Sequence, residues 1–385
     1  MTPDPVTTTD RWPVVFLIDE LLASGGTEVH LVFLARRFRE LGHPVEVWTL
    51  KASGWISCFY EIDVRVRVFD DLPGVFRPWV ALSVRRLTRA LDEFAPTGPV
   101  IVQAYHTASD FLAALLRKAN PRVRSISSWR DMGIFRSPAH ILMQRTVAKH
   151  VDRLLVVSEA VRVAAAARTG VPAAYIGVVH NGVDCVKFRP PTPEEKLEAR
   201  QRLGLQPDEV VGFTVGSFHS FKGQDLVLEA CATLAQEGLR LRPVFAGDGA
   251  LLADHKALAA RLGLDSALFL GSRKDIAELL WAADVFVLAS WSEGFSNAII
   301  EAMASGLPIV STTVGGNPQA VTRDCGTLIP PGDLERLVTA LRPLIESERL
   351  RRSMGANGRK RVSEVFHLDA MVEDYRDVHR ELLRG

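Results

Sequence analysis

Two doubly wound parallel α/β sheets, one in each half of the chain, are the fold this sequence predicts. Three observations point there. The chain has 385 residues, more than one hydrophobic core usually organises and enough for two domains of about 150–200 residues. Short apolar runs alternate with amphipathic stretches along both halves, the pattern of parallel strands joined by helical crossovers. A proline-rich stretch, Arg189-Pro190-Pro191-Thr192-Pro193, fits a linker between the halves. The expected domains are therefore 1–188 and 189–366, with 367–385 as a C-terminal helix packing back toward the first.

In the first half, residues 14–18 form an apolar strand, followed by a glycine turn at Ser24-Gly25-Gly26 and a helical pattern over 28–41. Strands are predicted at 45–50 and 64–69. A helix over 80–94 ends before Pro96, where proline cannot continue it. Strands or helices then follow at 100–104, 123–127, 138–150, 153–157 and 174–179. The polar N-terminus, MTPDPVTTTDRW, reads as a disordered leader and lacks the basic start and apolar run of a secretory signal.

The second half is more regular. Strands are predicted at 210–216, 241–247, 267–270, 285–289 and 308–312. The intervening helices are 224–237, 250–262, 276–283 and 296–304. Gly238, Gly263 and Gly306 follow the last periodic apolar residue of their helices, where a left-handed cap is needed. The last segment, 367–383, is amphipathic, with Met371, Tyr375, Val378 and Leu382 on one face.

Composition is that of an ordinary soluble globular protein, 47% hydrophobic and 24% charged. No run approaches the roughly 20 apolar residues of a membrane-spanning helix. Cys58, Cys185, Cys231 and Cys325 are scattered without zinc or redox spacing and read as four buried thiols. The net charge of +1 conceals an asymmetry: residues 1–190 hold 24 Lys+Arg against 18 Asp+Glu, and the remainder 46 − 24 = 22 against 45 − 18 = 27. A basic front half suits a membrane surface or an anionic acceptor, or is a chance imbalance on solvated faces. The stretch 135–149, with Arg136, Arg145 and Lys149 among Ile141, Leu142 and Met143, reads as a helix packed on its own domain or lying on a membrane.

The most informative segment is Glu293-Gly294-Phe295-Ser296-Asn297-Ala298-Ile299-Ile300-Glu301. It follows a buried strand and opens a helix, at the carboxyl end of a parallel sheet where such folds bind ligands. Gly294 permits close backbone approach and Ser296 is a good N-cap. The amides of residues 295–298 and the helix dipole make a phosphate site. Glu293 in the loop and Glu301 on the helix body then bracket one extended ligand, as acceptors for vicinal hydroxyls. Alternatively this is a solvated helix with two incidental glutamates.

Glu-x7-Glu in this setting resembles the signature of the retaining glycosyltransferases of family 4, glycosyl transferases group 1, which have the GT-B fold of two facing Rossmann-like domains with a cleft between them. The resemblance covers nearly the whole chain. It includes Gly25-Gly26-Thr27-Glu28, His180-Asn181-Gly182-Val183-Asp184, Val215-Gly216-Ser217-Phe218-His219-Ser220-Phe221-Lys222-Gly223, Gly247-Asp248-Gly249, Ala283-Asp284-Val285 and Gly315-Gly316-Asn317.

That resemblance implies a role for each matching residue. Glu301 holds the ribose hydroxyls of a nucleotide-sugar donor and Glu293 the transferred sugar. Gly294, Phe295, Ser296 and Asn297 offer amides to sugar hydroxyls and phosphates. Lys222 neutralises the departing diphosphate as a fixed cation in place of a metal. Gly26 lets the first helix approach the same diphosphate. Many relatives carry Arg where this chain has Ser217, and Arg273 or Lys274 could compensate. His106 matches a histidine near the sugar; Arg130 and Asp131 are candidate acceptor contacts or a local ion pair.

The expected activity is transfer of a hexosyl-type sugar from a UDP- or GDP-sugar to a carbohydrate or lipid-linked acceptor in polysaccharide or glycolipid biosynthesis. The catalytic set is Glu293, Lys222 and His106. No cofactor, metal or nucleic acid is expected, since no Asp-x-Asp site stands at a strand end. The expected location is cytoplasmic, with peripheral contact at the inner membrane face. No carboxylate pair of the retaining-glycosidase kind is evident, so the departing diphosphate itself would deprotonate the acceptor. Competing readings are a nicotinamide-dependent dehydrogenase, against which the first turn lacks the three-glycine fingerprint, a nucleotide-sugar-binding protein without transfer activity, and a phosphorylase, for which no pyridoxal lysine site is identifiable.

Overall fold

The computed structural model describes residues 11–22, 26–51, 56–70, 72, 80–133 and 137–384. The leader before Arg11, Ser24 and Gly25 of the first turn, and Arg136 lie outside them. The chain forms two compact units, 1–179 with 372–385, and 180–371.

The first unit is built on seven parallel strands: β1 (Val14–Ile18), β2 (Val45–Thr49), β3 (Arg65–Val68), β4 (Val100–Tyr105), β5 (Val123–Trp129), β6 (Arg153–Val156) and β7 (Ile176–Val178), in the order β3-β2-β1-β4-β5-β6-β7. Val14 pairs with Val45 on one side and Ile101 on the other. All five residues of β1 are buried, as a strand covered on both faces requires. The crossovers are α1 (Gly26–Glu40), α2 (Ser57–Tyr60), α3 (Val80–Phe94), α4 (Thr107–Ala119), α5 (Pro138–Ala148) and α6 (Glu159–Thr169).

α4 and α6 are not legible from periodicity, for different reasons. α4 buries the polar residues Ser109 and Asp110 among its leucines, which breaks the apolar stripe. In α6 a run of alanines offers little contrast between faces. α4 is started instead by tertiary structure: the Asp19 carboxylate, just beyond β1, accepts from Ala108 N at 3.2 Å, Ser109 N at 2.7 Å and Ser109 Oγ at 2.6 Å.

The second unit begins with α7 (Pro193–Arg202), opened by a capping box between Thr192 and Glu195. Its sheet has six parallel strands, β8 (Val211–Val215), β9 (Arg242–Ala246), β10 (Leu268–Phe269), β11 (Val285–Leu288), β12 (Ile309–Thr312) and β13 (Gly326–Ile329), ordered β10-β9-β8-β11-β12-β13. Around it lie α8 (Gln224–Gln236), α9 (Leu252–Arg261), α10 (Ile276–Leu280), α11 (Asn297–Ala304), α12 (Asn317–Ala320), α13 (Leu334–Glu346) and α14 (Glu348–Val365). The strand order reverses between β8 and β11, the point beside which such sheets take ligands. Gly238, Gly263 and Gly306 all have positive φ, as the helix ends required.

Residues 180–188, read from sequence as the end of the first domain, pack within the second unit. Val183 N donates to Phe366 O at 2.9 Å, and Leu368 N donates to Val183 O at 3.1 Å. The proline-rich stretch therefore lies inside this unit rather than at its boundary.

The last helix, α15 (Leu368–Arg384), buries Met371, Val372, Tyr375, Arg376 and His379. Val378 and Leu382 are only partly buried, so its inner face is rotated from the apolar stripe expected. The reason is a buried polar chain in the first unit: Trp12 Nε1 donates to His379 Nδ1 at 3.2 Å, and His379 Nε2 lies 3.1 Å from Gln103 Oε1. The thiols also differ from expectation, since only Cys231 and Cys325 are buried and Cys58 and Cys185 are partly exposed.

Candidate functional site

The loop after β11 carries Glu293. Two donors converge on one oxygen of its carboxylate: Lys222 Nζ at 2.8 Å and Ser290 Oγ at 2.7 Å, both to Oε1. The Lys222 and Glu293 side chains are 18% and 10% exposed, shielded enough for the charge pair to hold its geometry and open enough to be reached. Ser290 is itself buried and fixed, its carbonyl accepting from Thr312 Oγ1 at 2.6 Å.

The backbone around Glu293 is set by the Gly315-Gly316 turn. Gly316 N donates to Gly294 O at 2.9 Å. Gly315 has φ +53° and passes so near the loop that a Cβ there would sit 1.6 Å from Glu293 O. Only glycine fits both the backbone conformation and the approach. The motif Gly315-Gly316-Asn317 thus acts by seating the loop that bears Glu293.

α11 begins at Asn297, and Ser296 Oγ accepts from Ile299 N at 3.4 Å, so Ser296 is the N-cap expected. Phe295 is buried, stacked on His180 with ring centroids 5.2 Å apart and packed on Phe366 at 5.3 Å. Asn181 holds the same turn from the side: its Nδ2 donates to Asn297 Oδ1 at 2.6 Å and to Phe295 O at 3.2 Å. The His180-Asn181 motif serves to brace the start of this helix.

Glu301 lies on α11, one turn in from the cap. Its carboxyl makes no hydrogen bond among the described residues, and burial pushes its pKa up to about 7, with Lys187 acting weakly in the opposite direction. A desolvated carboxyl with both oxygens available is a poor structural element and a good acceptor for a pair of hydroxyls.

Lys222 is delivered by the turn between β8 and α8. Lys222 N donates to His219 O at 3.0 Å. Gly223, at φ +65°, is the helix N-cap, and a Cβ there would lie 2.1 Å from Ala289 O. The turn thus abuts the end of β11, which brings Lys222 beside Glu293 across 71 residues of sequence. Ser217 lies in the same turn, its carbonyl accepting from Gln224 Nε2 at 3.0 Å. Arg273 is tied to Asp275 by two hydrogen bonds of 2.8 and 2.5 Å.

Asp284, of the Ala283-Asp284-Val285 motif, is structural. Its carboxylate takes Lys196 Nζ at 2.8 Å, the Arg200 guanidinium, and Val211 N at 2.9 Å, joining α7 to the starts of β8 and β11.

In the first unit, Gly26 is the first residue of α1. His106 follows β4 at φ +74°, rare for a residue with a Cβ, and precedes α4; such strain concentrates at functional positions. Arg130, just past β5, donates to the Tyr375 hydroxyl, and burial holds its guanidinium below the ordinary arginine value, against Tyr375, Tyr105 and Glu28. The same surroundings keep His30 well below its usual pKa, through burial and then Arg130. Asp131 is exposed.

Sequence reasoning missed Ser290, Thr312, Asn181 as a brace and Asp19. Of these only Asn181 carried a signal, as part of a motif. The others are ordinary residues given their place by strands and helices meeting.

Two family descriptions match the chain, "Glycosyltransferase Family 4" over residues 24–187 and "Glycosyl transferases group 1" over residues 195–361. A D-inositol 3-phosphate glycosyltransferase of Streptomyces bingchenggensis is 28% identical over 408 residues, covering 94% of this chain and 86% of the relative. D-inositol 3-phosphate glycosyltransferase 1 of Catenulispora acidiphila is 30% identical over 353 residues, covering 84% and 83%. Among solved structures, that of Anabaena Alr3699/HepE in complex with UDP and glucose superposes with a TM-score of 0.85 at 21% identity, covering 96% of this chain and 100% of that one. The sheet orders, the Lys222–Glu293 pair where two strand-to-helix turns meet, and these matches agree: the chain belongs to the family 4 glycosyltransferases, glycosyl transferases group 1, and is a glycosyltransferase of GT-B fold.

Proposed function

We propose that this enzyme transfers a hexosyl-type sugar, with retention of anomeric configuration, from a UDP- or GDP-sugar to a carbohydrate or lipid-linked acceptor in polysaccharide or glycolipid biosynthesis. The reading rests most on one observation, the Lys222–Glu293 pair standing near the start of a helix that also bears the unengaged carboxyl of Glu301. Glu301 takes the ribose hydroxyls and Glu293 the sugar. Lys222 meets the diphosphate together with the amides before α11. UDP and glucose in the Anabaena structure support a nucleotide-sugar donor.

In the transfer step the bond between the anomeric carbon and the diphosphate oxygen breaks, its electron pair leaving with the diphosphate. The acceptor oxygen bonds to the same face of that carbon, and its proton passes to the departing diphosphate. Lys222 stabilises the charge that develops there, in the place a metal ion takes in other transferases. His106 lies by the sugar, Gly26 by the diphosphate, and Arg130 and Asp131 toward the acceptor. Ser217 and Arg273 contribute on the donor side. The enzyme works in the cytoplasm, at the inner face of the membrane. Release of UDP or GDP from UDP-glucose, UDP-N-acetylglucosamine or GDP-mannose, undiminished by EDTA, tests this; no release from any of them refutes it.

A second acceptor class is favoured by Arg130. A desolvated guanidinium suits a small anionic acceptor, and the curated relatives include enzymes named for inositol 3-phosphate. Stimulation of nucleotide release by inositol 3-phosphate, lost in Arg130→Ala, would select it over a neutral glycan.

A further inference from the structure

Lys222 is asked to do two things. In the structure it neutralises Glu293, and in the reaction it meets the diphosphate. As the diphosphate arrives, its greater charge draws the ammonium away, and Glu293 loses its counter-charge at the moment it must hold the sugar. A carboxylate left partly buried without a donor turns toward another partner or toward solvent.

Ser290 stands where this would be prevented. Its hydroxyl donates to the same Oε1 that Lys222 engages, at 2.7 Å. Neither hydrogen bond uses Oε2. Ser290 has little freedom of its own: it is fully buried, and Thr312 Oγ1, at the end of β12, holds its carbonyl at 2.6 Å. The Gly315 backbone passes close to the Glu293 carbonyl, and Gly316 N donates to Gly294 O at 2.9 Å, which seats the loop as well. The Ser290 backbone is therefore anchored to the sheet independently of Lys222.

We infer that Ser290 is the positioning residue of Glu293, keeping Oε1 engaged and the carboxylate in place when Lys222 turns to the diphosphate, so that Oε2 is presented to a hydroxyl of the transferred sugar. This rests on the roles of Glu293 and Lys222 given under Proposed function.

The test uses the full-length protein with whichever of UDP-glucose, UDP-N-acetylglucosamine and GDP-mannose the wild type turns over fastest. Ser290→Ala is expected to lower kcat about 10- to 100-fold, as for loss of one hydrogen bond to a charged group, with UDP or GDP affinity unchanged. Ser290→Thr, which keeps the hydroxyl, restores turnover to within about threefold, and equal thermal melting of the variants separates positioning from folding. Glu293→Gln is the control. If Glu293→Gln is inactive while Ser290→Ala keeps wild-type kcat, the Ser290 proposal alone fails. If Glu293→Gln retains wild-type turnover, or the wild type uses none of the three donors, the proposal falls with the reading beneath it. An inactive Ser290→Ala that Ser290→Thr does not rescue, though both fold, also overturns it.

Discussion

Lys222 Nζ and Glu293 Oε1 are 2.8 Å apart, a cation and an anion from two different strand ends that satisfy each other. The pair holds a partly shielded positive charge at the site without a bound ligand, so the cation has only to exchange Glu293 for the diphosphate when one arrives.

Lys222→Ala is therefore expected to act on turnover. Loss of a fixed cation at a developing charge costs about 100- to 1,000-fold in kcat. UDP or GDP affinity should change less than about tenfold, because the helix amides and Glu301 remain. Steady-state kinetics beside calorimetric titration of the nucleotide separate the two quantities, and unchanged turnover would retire the role.

Glu301 should make donor binding depend on pH near neutrality. With its pKa at about 7 through burial, the carboxyl is mostly protonated at pH 6 and mostly ionised at pH 8. If the carboxylate is the form that accepts ribose hydroxyls, UDP or GDP should bind about tenfold more weakly at pH 6 than at pH 8. Glu301→Gln should flatten the dependence, and titration at both pH values shows whether it does. The stability of the free protein runs the other way. A carboxyl whose folded pKa is raised contributes most at low pH, and the contribution is lost as pH rises from about 4.5 to about 7.

Gly315→Ala should damage both stability and activity. Its Cβ would meet Glu293 O at 1.6 Å at a φ of +53°, so the loop must shift. A cost of about 1–3 kcal/mol from the backbone alone is expected, with added loss of turnover because Glu293 moves. Urea denaturation and kcat on the same preparation test the coupling; a fully active variant would show that the loop tolerates displacement.

Asp284→Ala should leave catalysis to the surviving folded fraction and strike stability. It strands Arg200, whose side chain is 5% exposed, without its carboxylate, and breaking a buried pair costs about 3–5 kcal/mol. A large fall in the urea midpoint with near-normal kcat per folded molecule is the expected result.

His379 should make the first unit acid-sensitive. Burial, then His43, lowers its pKa to about 3. The unfolded chain therefore binds a proton that the folded one refuses between about pH 6.5 and pH 3, and stability falls as pH drops through that window. His379→Gln, which can still bond Trp12 and Gln103, should flatten the melting temperature between pH 7 and pH 4. An equal decline in both proteins would show that other groups govern the acid limb.

What could be read before the structure was whatever repeats locally. Strands β1 and β11, helix α3, the glycine stops at 238, 263 and 306, and the cap at Ser296 all follow from short-range sterics and hydrogen bonding. Glu293, Glu301 and Lys222 stood out because an unusual cluster surrounds each. Ser290, Asp19 and His379 did not, because each acts on a partner that only the tertiary fold supplies, or in Ser290's case on one whose orientation the fold fixes. His379 is paired with residues 367 and 276 positions away. No spacing announces such a residue, and a histidine on an amphipathic helix looks like part of its wet face.

The position of α15 has a consequence for biosynthesis. Unit one takes its closing helix from residues 372–384, so its core, Trp12 and His43 included, cannot be completed until those residues have been translated. At about 5–20 residues per second, the nascent N-terminal sheet waits on the order of 10–40 seconds for that helix. The portion made first is finished last, while the intervening portion can fold as it emerges. Chaperone capture during that interval should therefore fall on the N-terminal half.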